Sequence, residues 1–274
     1  MIIRKISDSK PNILIFQGSP RKENSCANQI PKSQKVAEYL IDRWIPFANL
    51  EIIDLSVGQV NIQPCKGCIS TANGMHCHWK CSCYSKNSQK LPDLMYDADI
   101  YDKLESCDGF IIITPIHWYS VSTQVKAMFD RLVCANQTIT KEQAVQIFGK
   151  KNIKNSDLTG EAELSGQYKD MLKNHLEGKW VGFYAHGDNG ANDYDGNQPD
   201  TGDTNWDVRN AVMPLVYQCR YSGINAPDDL VESFYINEGI DYYQANLDMD
   251  RNSEFFNKAD ILIEKMIDYI NNQS

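Results

Sequence analysis

Five short apolar runs punctuate the chain, separated by longer amphipathic or polar stretches: NILIFQ (Asn12–Gln17), LEIIDL (Leu50–Leu55), FIII (Phe110–Ile113), KWVGFYA (Lys179–Ala185) and VESFYI (Val231–Ile236). Each has the length of a strand and is rich in β-branched or aromatic residues. The middle run reads as a strand buried on both faces that stops at Thr114-Pro115, because proline cannot donate to a ladder. Between the runs the period changes to that of a helix. Val36, Ala37, Leu40, Ile41 and Trp44 predict a helix starting near Ile30 to Ser33, with Pro31 in its first turn. Val121, Val125, Met128, Phe129 and Leu132 predict another, with Ser120 or Ser122 as N-cap. Helical spacing also marks Leu94 to Leu104, Tyr168 to Leu176, Asp207 to Tyr221 before Gly223, and Phe255 to Ile270. Strands alternating with helices imply an α/β fold with a doubly wound, five-stranded parallel sheet.

Length and charge narrow this picture. The 274 residues contain no stretch of linker composition, so a single domain over 1–274 is expected, carrying a Cys-rich excursion at 56–89 and polar inserts at 135–167 and 192–205. A net charge of −9 without a Lys/Arg cluster excludes nucleic acid and anionic membrane surfaces as partners. No apolar run approaches the ~20 residues that span a bilayer, and the first residues lack the apolar core of a secretion signal, so a cytoplasmic location is expected.

In a parallel sheet the segments after the first, third and fourth strands meet on one edge, where ligands bind. Ser19, Arg21, Ser25 and Ser33 lie between the first strand and the following helix start, a setting that suits a phosphate, although a plain strand-to-helix turn reads as well. The lysine-containing phosphate loop and the spaced glycines of a dinucleotide fingerprint are both missing. After the third strand come Pro115, Ile116, His117, Trp118 and Tyr119, whose rings suit either a ligand or an ordinary core. His186, Gly187 and Asp188 follow the fourth. For the flavodoxin-like order 2-1-3-4-5, this edge is where FMN sits.

The residues GSPR after the first strand, TPIHWYSVSTQVKAMFDRL after the third and HGD after the fourth resemble the NAD(P)H-dependent FMN reductase family of flavodoxin-like flavoproteins. The resemblance runs in order from Asn12 to Ile236. It implies a non-covalent FMN with its phosphate near Ser19, Arg21 and the next helix start. Its ring would lie against Pro115, Ile116, His117 and Trp118, with His186, Gly187 and Asp188 toward its other side. It further implies hydride transfer from NAD(P)H through flavin to a quinone, flavin, nitro or azo compound or metal acceptor, and a homodimer or homotetramer. The flavin carries such chemistry, so no side-chain nucleophile is assigned; His117 is either a donor to flavin or substrate or a hydrogen-bonded loop histidine. An FMN electron carrier without nicotinamide turnover is the alternative.

Cysteine usage adds one more feature, since five of nine cysteines fall at Cys65, Cys68, Cys77, Cys81 and Cys83. Four thiolates with short loops suffice for zinc or an iron-sulfur cluster. Iron-sulfur flavoproteins, relatives of the family, carry a compact four-cysteine motif here; Cys65, Cys68 and Cys77 are in its register, but Thr71 holds its third position, which leaves Cys81 or Cys83 to replace the missing ligand. Free thiols or a redox disulfide are favoured over a bound metal.

Overall fold

The structure, a computed structural model, describes residues 10–22, 29–58, 60–68, 77–86, 88–148, 171–188, 208–236 and 252–273. Its main sheet has strands β1 (Asn12–Gln17), β2 (Asn49–Asp54), β3 (Gly109–His117), β4 (Trp180–Asp188) and β5 (Val231–Ile236), all parallel, in the order β2-β1-β3-β4-β5. This is the flavodoxin-like doubly wound arrangement, and each expected strand is present.

The chain parts into two compact units. The first, Met1–Val57, Ser106–Val125 and Lys179–Ser274, holds the whole main sheet. Alternate strand residues point to opposite faces. Ile13, Ile15, Ile111 and Ile113 share a core with Val36 and Leu40 of α1 (Lys32–Trp44) and with Leu262, Met266 and Ile270 of the closing helix, Ser253–Gln273. On the opposite parity, Phe16 meets Phe110 edge to face at 6.1 Å. The closing helix lies close on the sheet because β4 has a glycine there: a Cβ on Gly182 would come within 3.1 Å of both Leu262 Cδ1 and Met266 Cε. Asp260 ties it to α1, accepting from Tyr39 Oη at 2.7 Å and Trp44 Nε1 at 2.6 Å and pairing with Arg43 Nε at 2.9 Å.

The second unit, Gly58–Glu105 and Lys126–Gly178, contains α2 (Leu94–Asp97), α3 (Ile100–Ser106 but for its last residue) and a two-stranded parallel ladder of His78–Trp79 with Ile139–Thr140. Its centre is an ion pair with both side chains fully buried, Arg131 Nη2 to Asp93 Oδ2 at 2.9 Å. Nη1 of the same guanidinium donates to the Gln63 carbonyl at 3.0 Å and Nη2 to Tyr101 Oη at 3.1 Å, so the charge is nearly surrounded by acceptors. The Cys-rich excursion lies almost wholly in this unit.

Three expectations need correction. The central strand does not stop at Thr114-Pro115; it runs to His117, with Pro115 opposite His186. Ile113 turns its carbonyl toward β1, accepting from Gly18 N at 2.7 Å. Pro115, two residues on, faces the same side, where β1 has already ended, so its missing N–H costs no ladder bond. The helix expected over Leu94 to Leu104 is two helices, broken at Asp99 with φ +52°. Of the stretch Tyr168 to Leu176, the described residues 171–176 are not helical: Lys173 makes an antiparallel bridge to Thr138 instead. The insert at 192–205 and most of that at 135–167 lie outside the described residues.

Candidate functional site

The register of the first unit decides which loops meet. Gln17 pairs with Ile113, Ile113 with Tyr184 and Pro115 with His186, so the segments after β1, β3 and β4 leave the sheet along one edge. Between β1 and β3 the chain changes direction across the sheet, to β2 on one side and β3 on the other.

The segment after β1 is held by its neighbours. Gln17 donates through Nε2 to Asp54 Oδ1 at 3.1 Å, and its Oε1 accepts from Ser19 N. Asp54 in turn accepts from Ser56 N at 2.8 Å and Ser56 Oγ at 2.9 Å. Backbone bonds from Leu55 N to Gln17 O (3.0 Å) and Val57 N to Pro20 O (2.8 Å) extend the contact past the strand ends. On the β3 side a Cβ at Gly18 would stand 2.5 Å from Val125 Cγ2 and 2.7 Å from the Ile113 carbonyl, so only glycine allows this approach. Ser122 Oγ donates to the Gly18 carbonyl and accepts from Val125 N at 3.4 Å, which makes Ser122, of the two expected serines, the N-cap of α4 (Thr123–Arg131). Gln17, Asp54 and Ser56, together with the expected cap Ser122, thus position the turn; single polar residues at the ends of β1 and β2 give too weak a signal to identify as such supports in advance.

Ser19 is buried, and its Oγ accepts from Arg21 N at 3.3 Å. Arg21 is half-buried, whereas Ser25 lies outside the described residues. Helix α1 opens at Pro31, which makes no side-chain cap hydrogen bond. Ser33 in its first turn is fully buried and shares a hydrogen bond with His186 Nε2 at 2.7 Å, joining two residues expected at separate parts of the site. Burial pushes His186 down to about 3, with the nearby His117 and Lys32 acting in the same direction, so the ring is neutral at pH 7. Desolvation also lowers His117.

The aromatic loop after β3 is a hairpin. Ile116 pairs antiparallel with Val121 and His117 with Ser120, leaving Trp118 and Tyr119 as the two corner residues. Their φ values, +50° and +64°, are those that a tight two-residue turn of this hand requires. Such turns normally take Asn or Gly, so two aromatic residues hold strained backbone here, a pattern that clusters at ligand sites. Both rings face solvent, Trp118 at 93% exposure and Tyr119 at 53%. Pro115 and Ile116 are half-buried, and a Cβ on Gly187 would come 3.1 Å from Ile116 Cβ, so β4 lies tight under this hairpin. Asp188 closes β4; its side chain lies outside the described residues.

These features fit a phosphorylated flavin: a helix start and an exposed aromatic hairpin after β1 and β3 on one edge of the sheet, with a neutral imidazole near the end of β4 that bonds the first turn of the helix. The thiols of the second unit fit a metal poorly. Among the described residues no group of three or more His, Cys, Asp or Glu is placed to hold an ion. Cys68 and Cys83 have their sulfurs 2.9 Å apart, closer than the roughly 3.8 Å that two thiolates keep on one tetrahedral zinc. Cys65 accepts instead from Gly67 N at 3.4 Å. Cys81 is pushed down to about 6, chiefly by the Cys83 thiol donating to it and further by Arg131, while Cys83 is correspondingly raised. Burial pushes Cys77 up to about 12.

Comparison with known proteins points to a flavin-binding family across both units. The profile of the NADPH-dependent FMN reductase family matches residues 11–151, just over half of the chain. An iron-sulfur flavoprotein of Methanosarcina thermophila is 26% identical over 118 residues, 43% of this chain and 50% of its own length. The match therefore spans about half of that relative. Among solved structures, RosB with a bound formylated riboflavin phosphate superposes with a TM-score of 0.51 at 8% identity, covering 96% of this chain and 79% of RosB, a likeness of fold alone. General stress protein 14 of Treponema denticola in complex with FMN gives 0.45 at 12% identity, covering 95% and 99%.

Proposed function

The chain belongs to the NADPH-dependent FMN reductase family, and from that premise we propose that it is an FMN-dependent NAD(P)H oxidoreductase acting on a quinone, free flavin, nitro or azo compound or metal acceptor. The observation that carries the reading is the edge formed after β1, β3 and β4, at the point where the strand order reverses. FMN, when bound, supplies the chemistry: it accepts a hydride from the nicotinamide and hands the electrons on. The protein binds and orients. Ser19, Arg21 and the start of α1 hold the phosphate, with Ser25 and Ser33 in the same loop and first turn. The Pro115 to Tyr119 hairpin offers its aromatic face to the ring and to incoming substrate. His186, kept neutral, adds no charge beside the ring, and Gly187 and Asp188 border its other side. His117 donates to flavin or acceptor in this reading. Cytoplasmic location and a homodimer or homotetramer complete the proposal.

A visible spectrum of the purified protein tests it. A yellow preparation bleached anaerobically by NADPH or NADH is expected; a colourless protein that ignores added FMN overturns the reading. Flavin that binds but is reduced by neither nucleotide favours an FMN electron carrier, the second reading, which the likeness to an iron-sulfur flavoprotein motivates.

A further inference from the structure

The second unit holds chemistry that flavin binding does not use. Cys68 and Cys83 are each half-buried, and their sulfurs lie 2.9 Å apart although 15 residues separate them in sequence. Both flanks of the contact are held. Cys68 follows Gly67, whose φ of +65° lets the chain fold back so that Gly67 N bonds Cys65 Sγ. Cys83 precedes Tyr84, whose hydroxyl donates to the Pro64 carbonyl at 2.8 Å, and Lys66 Nζ reaches the Cys83 carbonyl at 3.5 Å. The two short segments 64–68 and 83–84 are therefore laced together by two hydrogen bonds besides the thiol contact. Tyr84 also stacks under the buried Arg131 guanidinium, 4.5 Å from its ring centroid, which anchors the pair to the unit's centre.

We propose that Cys68 and Cys83 form a redox-active dithiol that is oxidised to an intramolecular disulfide by a low-molecular-weight organic disulfide. One thiolate attacks a sulfur of the organic disulfide, forming a mixed disulfide and releasing one thiolate. The second cysteine then attacks the protein sulfur of that mixed disulfide, forming the Cys68–Cys83 bond and releasing the other thiolate. Two electrons pass from the protein sulfurs to the organic disulfide, and the two protein thiol protons go to the two departing thiolates. Partial exposure gives the reagent access, while proximity favours closure over a lasting mixed disulfide. Cys77, Cys81 and Cys134 are buried and less accessible, and Cys65 is engaged by its own turn. The bond would close the segment between the two cysteines and restrict the unfolded chain, so the oxidised protein should melt higher than the reduced one.

The test uses the full-length protein, reduced, freed of reductant and exposed to excess oxidised glutathione, then alkylated, digested and mapped by mass spectrometry. The expected result is two fewer alkylated thiols, a cross-linked Cys68 and Cys83 peptide pair, a raised melting temperature, and reversal of all three by dithiothreitol. In Cys68→Ser the cross-link and the melting shift disappear; in Cys65→Ser both persist. The proposal is overturned by a cross-link mapping chiefly to other cysteines, by stable glutathione adducts on Cys68 and Cys83, or by thiols that stay unreactive because purified protein carries stoichiometric zinc or iron on them. The mapping needs only the wild-type chain, so a variant that fails to fold leaves the answer intact, and none of these readouts depends on flavin.

Discussion

Single residues carry the sharpest expectations. Trp118 is held out of the core, so its removal should separate binding from folding. Trp118→Ala is expected to change stability by less than about 0.5 kcal/mol while weakening FMN affinity or raising the KM for the nicotinamide about three- to tenfold, the worth of one aromatic contact. Equilibrium denaturation and a flavin fluorescence titration read the two effects separately. His186 gives a pH signature. Its folded value of about 3 lies below the ~6.5 of an unfolded histidine, so between those values the unfolded chain binds the extra proton. Its contribution is complete above about pH 6.5 and is lost as pH falls toward 3, with a slope of at most ~1.4 kcal/mol per pH unit. His186→Gln, which keeps a partner for Ser33, should flatten that part of the curve; the remaining slope from His117 has the same sign. An unchanged pH profile of the denaturation midpoint would remove His186 from the account.

Among the elements, the closing helix Ser253–Gln273 depends on one buried carboxylate. Asp260→Ala would leave Tyr39 Oη and Trp44 Nε1 without their acceptor and Arg43 without its counter-charge. A loss of about 2–4 kcal/mol is expected in chemical denaturation, with Asp260→Asn recovering part of it. Element types were largely legible from period and composition: Val231–Ile236 is the strand that the residues VESFYI suggest, and α1 starts after Pro31. Two features that local sequence did not reveal have a common cause. Pro115 stays in the ladder because the strand on its N–H side has already ended, and Trp118-Tyr119 turns tightly without Asn or Gly because Ile116 to Val121 pair across it. Both depend on what lies opposite, which local propensity does not contain.

For the molecule as a whole, the first unit should respond to cofactor as a folded body. FMN at 100 times its Kd stabilises by about 2.7 kcal/mol, so the melting temperature should rise by several degrees. Riboflavin, which lacks the phosphate, should raise it less. Equal shifts from the two would show that the phosphate makes no contribution, against the role given to Ser19, Arg21 and α1. Hydrophobic period and family motifs by themselves determined the strands, the doubly wound parallel sheet, the family and which three loops to inspect, because those properties are written in short-range patterns. Only the tertiary structure decided that Ser33 spends its hydroxyl on His186, that Gln17 and Asp54 brace the turn after β1, and that Cys68 meets Cys83. These are contacts between residues far apart in the chain, and their partners are chosen by register, burial and the closing of loops rather than by sequence spacing.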